Sequence, residues 1–261
     1  SISLAAAGVV AGEFFSLLYS ARILSKILRI PGRFSLAGLK KPAGELMRLS
    51  LPLTANRTAV TLLQSVEAAS IPASLKLFGM DTSDALSTYG VLTGMALPCI
   101  LFPSAVTSSV GTVLMPAVTK AQADGDPAGM AALIRKAASG CFLLGLACCL
   151  FFLLSGSFLG EFLFHSSSAG KFILTLAWMC PFLYTNAALI SSINGLGKTT
   201  STFLINMLSL GMRITSVFLA IPRCGILGYL WGLLASQAAV TVLAFLVLYR
   251  TGRKTFKTPH P

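Results

Sequence analysis

Seven long apolar stretches, with nearly every charge pushed into the gaps between them, limit what this 261-residue chain can become. The windows are 1–24, 46–75, 85–116, 137–156, 172–193, 203–221 and 226–249. A helix crosses the bilayer core in about 20 apolar residues, so each window is long enough to span. Barrel strands are shorter and alternate polar with apolar side chains. The pattern predicts an all-α fold, a polytopic transmembrane helix bundle of about seven spans. With only 11% of residues charged, hypotheses of soluble catalysis lose most of their footing.

The net charge of +12 could point to nucleic acid, so its placement decides. Lys26, Arg29, Arg33, Lys40, Lys41, Arg48, Lys120, Arg135, Lys136, Lys198, Arg250, Arg253, Lys254 and Lys257 fall in or beside alternate gaps and the tail. The other gaps hold Lys76, Lys171 and Arg223. Fourteen against three is a positive-inside bias, and it places the C-terminus in the cytoplasm of a multi-pass protein of the cell membrane. A basic rim beside anionic lipid accounts for the charge without nucleic acid, and no basic face with interleaved aromatics is present.

Five of the six cysteines lie inside windows and none shows C-x-x-C spacing, which predicts packed, reduced thiols. The first window has no charged segment before it and no cleavage site after it, so it is not a signal peptide. Beginning at Ser1 in apolar sequence, the chain is expected to be a piece of a longer protein. Residues 25–45 mix Pro31, Gly32, Gly38 and Pro42 with basic side chains and predict a cytoplasmic linker. Asp126-Pro127 supplies an N-cap and a first-turn proline for a short surface helix feeding the fourth span. The Ser/Gly-rich gap 155–170 predicts an outer loop in which His165 is solvated.

Prolines 98, 103, 116 and 181 interrupt spans and predict kinks. Gly8/Gly12, Gly90/Gly94 and Gly228/Gly232 have the small-x-x-x-small spacing of close helix contact. Gly197-Lys198-Thr199 ends like a phosphate-binding loop, but Ser192 stands where that motif needs glycine and an apolar span precedes it, so a tight turn is expected. No carboxylate pair, Ser/His/Asp set or metal-spaced His/Cys cluster is present, which predicts no enzyme, no cofactor and no metal.

Ionisable side chains inside spans are the remaining signal, because each costs about 2.5–3.5 kcal/mol at a helix centre and therefore faces protein or cavity water. Asn56, Arg57, Gln64 and Glu67 share the second window, Arg213 the sixth and Glu13 the first. At 100° per residue Gln64 falls near Arg57 and Glu67 on the same broad side. Two readings stand: a cavity wall offering a cation to an anionic substrate, or arginine–glutamate pairs that lock helices together. Arg57 and Glu67 are about 15 Å apart along one helix, too far to pair with each other.

The run Tyr89-Gly-Val-Leu-Thr-Gly-Met-Ala-Leu-Pro-Cys-Ile-Leu-Phe-Pro103, with Leu114-Met-Pro-Ala-Val-Thr-Lys-Ala-Gln122, resembles the stage V sporulation protein B branch of the polysaccharide transporter family. Gln64-Ser-Val-Glu-Ala-Ala-Ser-Ile-Pro72 and the Asn194–Lys198 turn are similar to it too. The resemblance implies a member of the multidrug/oligosaccharidyl-lipid/polysaccharide exporter superfamily, two six-helix lobes moving lipid-linked saccharide or peptidoglycan precursors by alternating access. On that basis residues 1–24 are the last helix of an incomplete first lobe, 25–45 the linker, 46–250 a six-helix C-terminal lobe and 251–261 a cytoplasmic tail. The implied partners are a lipid-linked pyrophosphate sugar, membrane lipids and a missing N-terminal lobe or second chain. Arg57, Asn56, Gln64, Glu67 and Arg213 are the candidate substrate-binding residues. A drug or cation exporter on the same scaffold and a non-transporting envelope-assembly scaffold remain alternatives.

Overall fold

The computed structural model describes the backbone of residues 2–28 and 40–255, and the side chains of residue 8, residues 10–23, residue 58 and residues 60–251. It divides into two units, Ser1–Arg57 and Thr58–Pro261. The first holds α1 (Ile2–Leu28), which carries Glu13, and the start of α2 (Lys40–Leu77). Residues 29–39 of the predicted linker lie outside the described residues.

The second unit is built from the end of α2, then α3 (Thr82–Val91), a π-helical turn (Leu92–Ala96) and α4 (Leu97–Leu101). It continues through α5 (Ser104–Ala123), α6 (Pro127–Phe164), α7 (Ser167–Ala177), α8 (Cys180–Gly195), α9 (Thr199–Leu219), α10 (Ile221–Cys224) and α11 (Ile226–Thr255). Among the described residues four helical stretches are long and apolar enough to cross a membrane, and α7 with α8 makes a fifth, bent by 53° ahead of Pro181. The two earliest windows fall in α1 and α2, whose side chains are described only in part.

The apolar character of these helices runs all the way round. On α6 the buried stripe is Cys141, Gly145, Cys149, Phe152, Gly156 and Gly160, spaced three and four apart. Its opposite side exposes Leu143, Leu146, Leu150, Leu154 and Phe158. A helix apolar on both faces has lipid, not water, as its solvent. Small residues on the inner stripe bring backbones together. A Cβ on Gly145 would stand 2.6 Å from the Pro181 Cα, and one on Gly160 would strike the Gly170 backbone. Gly228 and Gly232 abut Ala220 and Ser216 as their spacing predicts, whereas Gly90 and Gly94 face open space.

Three predicted segments differ in the structure. Window 85–116 is not one helix, because Pro103 cannot supply an N–H and the chain breaks at Phe102–Pro103. The freed carbonyls find side chains, Tyr184 donating its hydroxyl to the Ile100 C=O at 2.8 Å and Ser104 to that of Leu101 at 2.6 Å. No separate surface helix precedes the fourth span. Asp126 caps Gly129 N–H as expected, but α6 then runs unbroken, since no residue from Ala128 to Phe164 is a proline. The outer gap 155–170 contracts to a turn at His165 and Ser166, with exposed His165 in the left-handed conformation (φ 49°) ending α6.

α8 lies at the centre, with Tyr184, Asn186, Ala188, Leu189, Ser192 and Ile193 all buried. Thr119 donates to the Gly195 carbonyl at 2.8 Å, and Lys198 Nζ donates to Thr251 Oγ1 at 2.7 Å. The C-terminal ends of α5 and α11 and the α8–α9 turn therefore meet at one end of the bundle. Lys120, Lys198 and Arg250 gather there, with Gly197 (φ 73°) making the tight turn expected of the Gly-Lys-Thr sequence. All six cysteines are free thiols.

Candidate functional site

Where α2, α5, α8, α9 and α11 converge, polar side chains line a cavity of about 430 Å³. Gln64 enters it from α2, Ser104 and Ser108 from α5, Asn186 from α8, Asn206 and Arg213 from α9, and Gln237 from α11. So many polar groups inside a bundle of apolar helices need partners, and several have them. Asn186 Nδ2 donates to Gln237 Oε1 at 2.8 Å and to its backbone carbonyl at 3.1 Å, while Thr241 Oγ1 donates to Asn186 Oδ1 at 2.8 Å. That network ties α8 to α11 and leaves the Gln237 amide NH₂ as a further donor beside the cavity.

The charged centre is a cluster of three. Glu67, 3% exposed, accepts the Tyr229 hydroxyl hydrogen at 2.9 Å and sits 2.8 Å from Arg213 Nε. Nε lacks hydrogen-bond alignment to that oxygen, so the contact is an ion pair. Arg213 Nη2 makes a long 3.5 Å contact to the Tyr229 oxygen. Three helices are joined here: α2 gives the carboxylate, α9 the guanidinium and α11 the phenol. Glu67 lies behind the guanidinium, whose side chain is 26% exposed and forms part of the cavity wall. A guanidinium carries five N–H donors, and this one keeps Nη1 without a protein partner among the described residues.

Of the residues singled out from sequence, Gln64 and Arg213 line the cavity together and Glu67 is paired with Arg213. The second unit thus contains both of the alternatives set out for its charges, a cation on a cavity wall and an arginine–glutamate pair between helices. The side chains of Asn56 and Arg57 lie outside the described residues, and Glu13 belongs to the first unit. Sequence reasoning passed over Asn186, Gln237 and Tyr229. The first two were visible as amides in the middle of apolar windows, whereas a tyrosine in a span carries no comparable signal.

No family model matches the chain. Over 252 residues it is 27% identical to stage V sporulation protein B of Bacillus subtilis (strain 168), a match covering 93% of this chain and 49% of that protein. Its structure superposes on a solved outward-facing conformation of a multidrug resistance MATE family transporter of the MOP superfamily. The TM-score is 0.68 at 12% identity, over 84% of this chain and 48% of that one. The fold is that of about half a MATE transporter. The chain spans about half the length of the proteins it matches, and both matches agree with the branch and superfamily that the Tyr89–Pro103 and Leu114–Gln122 runs resemble. With this fold and these helices, the chain is a multi-pass membrane protein.

Proposed function

We propose that this chain forms one half of a transporter that moves an anionic lipid-linked saccharide or peptidoglycan precursor across the membrane by alternating access. The observation that carries the proposal is the guanidinium of Arg213 on the wall of a cavity that amide and hydroxyl side chains help to line, inside an apolar bundle. A guanidinium grips phosphate oxygens in a bidentate way, and such a bond is stronger where water is scarce. The amides of Asn206, Gln64 and Gln237 suit sugar hydroxyls, which both donate and accept. We assign transport, not catalysis, to this site.

From the sequence alone, Arg57 with Asn56 is our candidate for a second phosphate contact, on the chemistry of its guanidinium. A cation exporter on the same scaffold would need an uncompensated acid. No carboxylate is among the residues that line the described cavity, and Glu67 is held by Arg213 and Tyr229, which favours the anionic substrate. Binding of a fluorescent polyprenyl-pyrophosphate saccharide to the purified chain tests this. Arg213→Ala should weaken binding about tenfold or more, and Arg213→Lys should restore only part, since the ammonium keeps charge but loses the fork. Wild-type affinity in a folded Arg213→Ala variant would sink the proposal.

A further inference from the structure

A second cavity, larger and of opposite character, lies outside the polar site. It is a groove of about 800 Å³ between α6 and α11, floored by Leu189 of α8 and walled by Ile134, Phe142, Val242 and Phe245. Its lining holds one charged side chain, Arg135, and reaches Thr251 at the basic end of the bundle. Arg135 is exposed and has no partner among the described residues. Lys198, Thr251 and Arg250 share this end of the bundle through the Lys198–Thr251 bond, so the local field is positive. Of the acids nearby, Asp126 already caps α6 through the Gly129 N–H.

We propose that this groove binds one acyl chain of an anionic phospholipid, with the phosphate held by Arg135. Length separates a lipid from a protein occupant. The lining runs from Thr241 to Thr251 on α11 and from Pro127 to Phe142 on α6, about 15 and 22 Å at 1.5 Å per residue. Both walls fall short of a bilayer core about 30 Å thick, whose full thickness a transmembrane helix from a second copy or another segment would need. The charge fits the same choice. One cation beside an apolar slot matches a phosphate atop a hydrocarbon tail, and a neutral headgroup gains less from it.

Native mass spectrometry of the purified, delipidated 261-residue chain tests this, with phosphatidylglycerol or phosphatidylcholine added at equal concentration. The expected result is one retained phosphatidylglycerol, favoured over phosphatidylcholine. Arg135→Ala should reduce that preference about fivefold, the worth of one basic side chain at an anionic surface. Ala138→Phe, which fills the slot, should displace the lipid. Arg223→Ala, on α10 outside the groove, should change nothing. Equal retention of the two lipids, or a preference untouched by Arg135→Ala, overturns the proposal. A dimer dispersed by Ala138→Phe would overturn it as well and give the groove to a second copy.

Discussion

A buried carboxylate inside a membrane bundle is stable only if something nearby balances it, and Glu67 shows how closely that balance is built. Its Oε1 is approached by both Arg213 Nε at 2.8 Å and the Tyr229 hydroxyl at 2.9 Å, from two different helices. Removing either charge alone strands the other in an apolar setting at a cost of about 3–5 kcal/mol, while removing both costs far less. Glu67→Leu and Arg213→Leu should therefore each lower the thermal midpoint in detergent sharply, and the double variant should recover most of the loss. Additive losses in the double variant would mean the two side chains are not coupled. Tyr184 has a similar local duty. Tyr184→Phe leaves the Ile100 carbonyl without its donor at a break in a span, so unfolding should become easier by about 1–3 kcal/mol. Unchanged stability would show that another group takes over. The charged cluster was legible in the sequence only as separate charges, because residues on α2, α9 and α11 meet through tertiary packing that no helical period encodes.

At the scale of elements, the positions of the helices were far easier to read than their joints. A span declares itself by length and apolarity, which is why α6, α9 and α11 coincide broadly with predicted windows. Joints depend on single residues. Pro103 and Pro181 were both read as interruptions, and the chain breaks at the first and bends ahead of the second, but α6 absorbs both a predicted surface helix and most of a predicted loop. Glycine spacing misled in the same way, since a pattern states that close contact is permitted, not that a partner arrives. The difference can be measured. Gly145→Leu should prevent α6 from seating against the Pro181 backbone and yield aggregated protein in gel filtration. Gly90→Ala, facing open space in α3, should fold normally and gain about 0.5–1 kcal/mol from reduced chain entropy. A well-behaved Gly145→Leu protein would show that the helices can part there at little cost.

For the whole molecule, the decisive fact is proportion: the chain spans about half the length of stage V sporulation protein B and about half that of the MATE transporter. The described cavity has walls from five helices, yet Gln64 and Asn206 remain exposed on it. An anionic headgroup entering from one leaflet would meet Arg213, but alternating access also needs a second wall against which this one can rock. We therefore expect the 261-residue chain, alone in liposomes, to bind a polyprenyl-pyrophosphate saccharide without translocating it. The assay adds an impermeant quencher to vesicles loaded with the fluorescent lipid in both leaflets. The quenched fraction should stop at the outer leaflet for the isolated chain and proceed further only when a complementary half is supplied. Orientation is checked in the same vesicles by single cysteines placed in a cysteine-free background. Positions 198 and 250, at the basic end, should label from one side, and positions 76 and 165 from the other, following the charge asymmetry. Translocation by a demonstrated monomer would show that one half encloses a complete path, and the proposal of a split cavity would have to be abandoned.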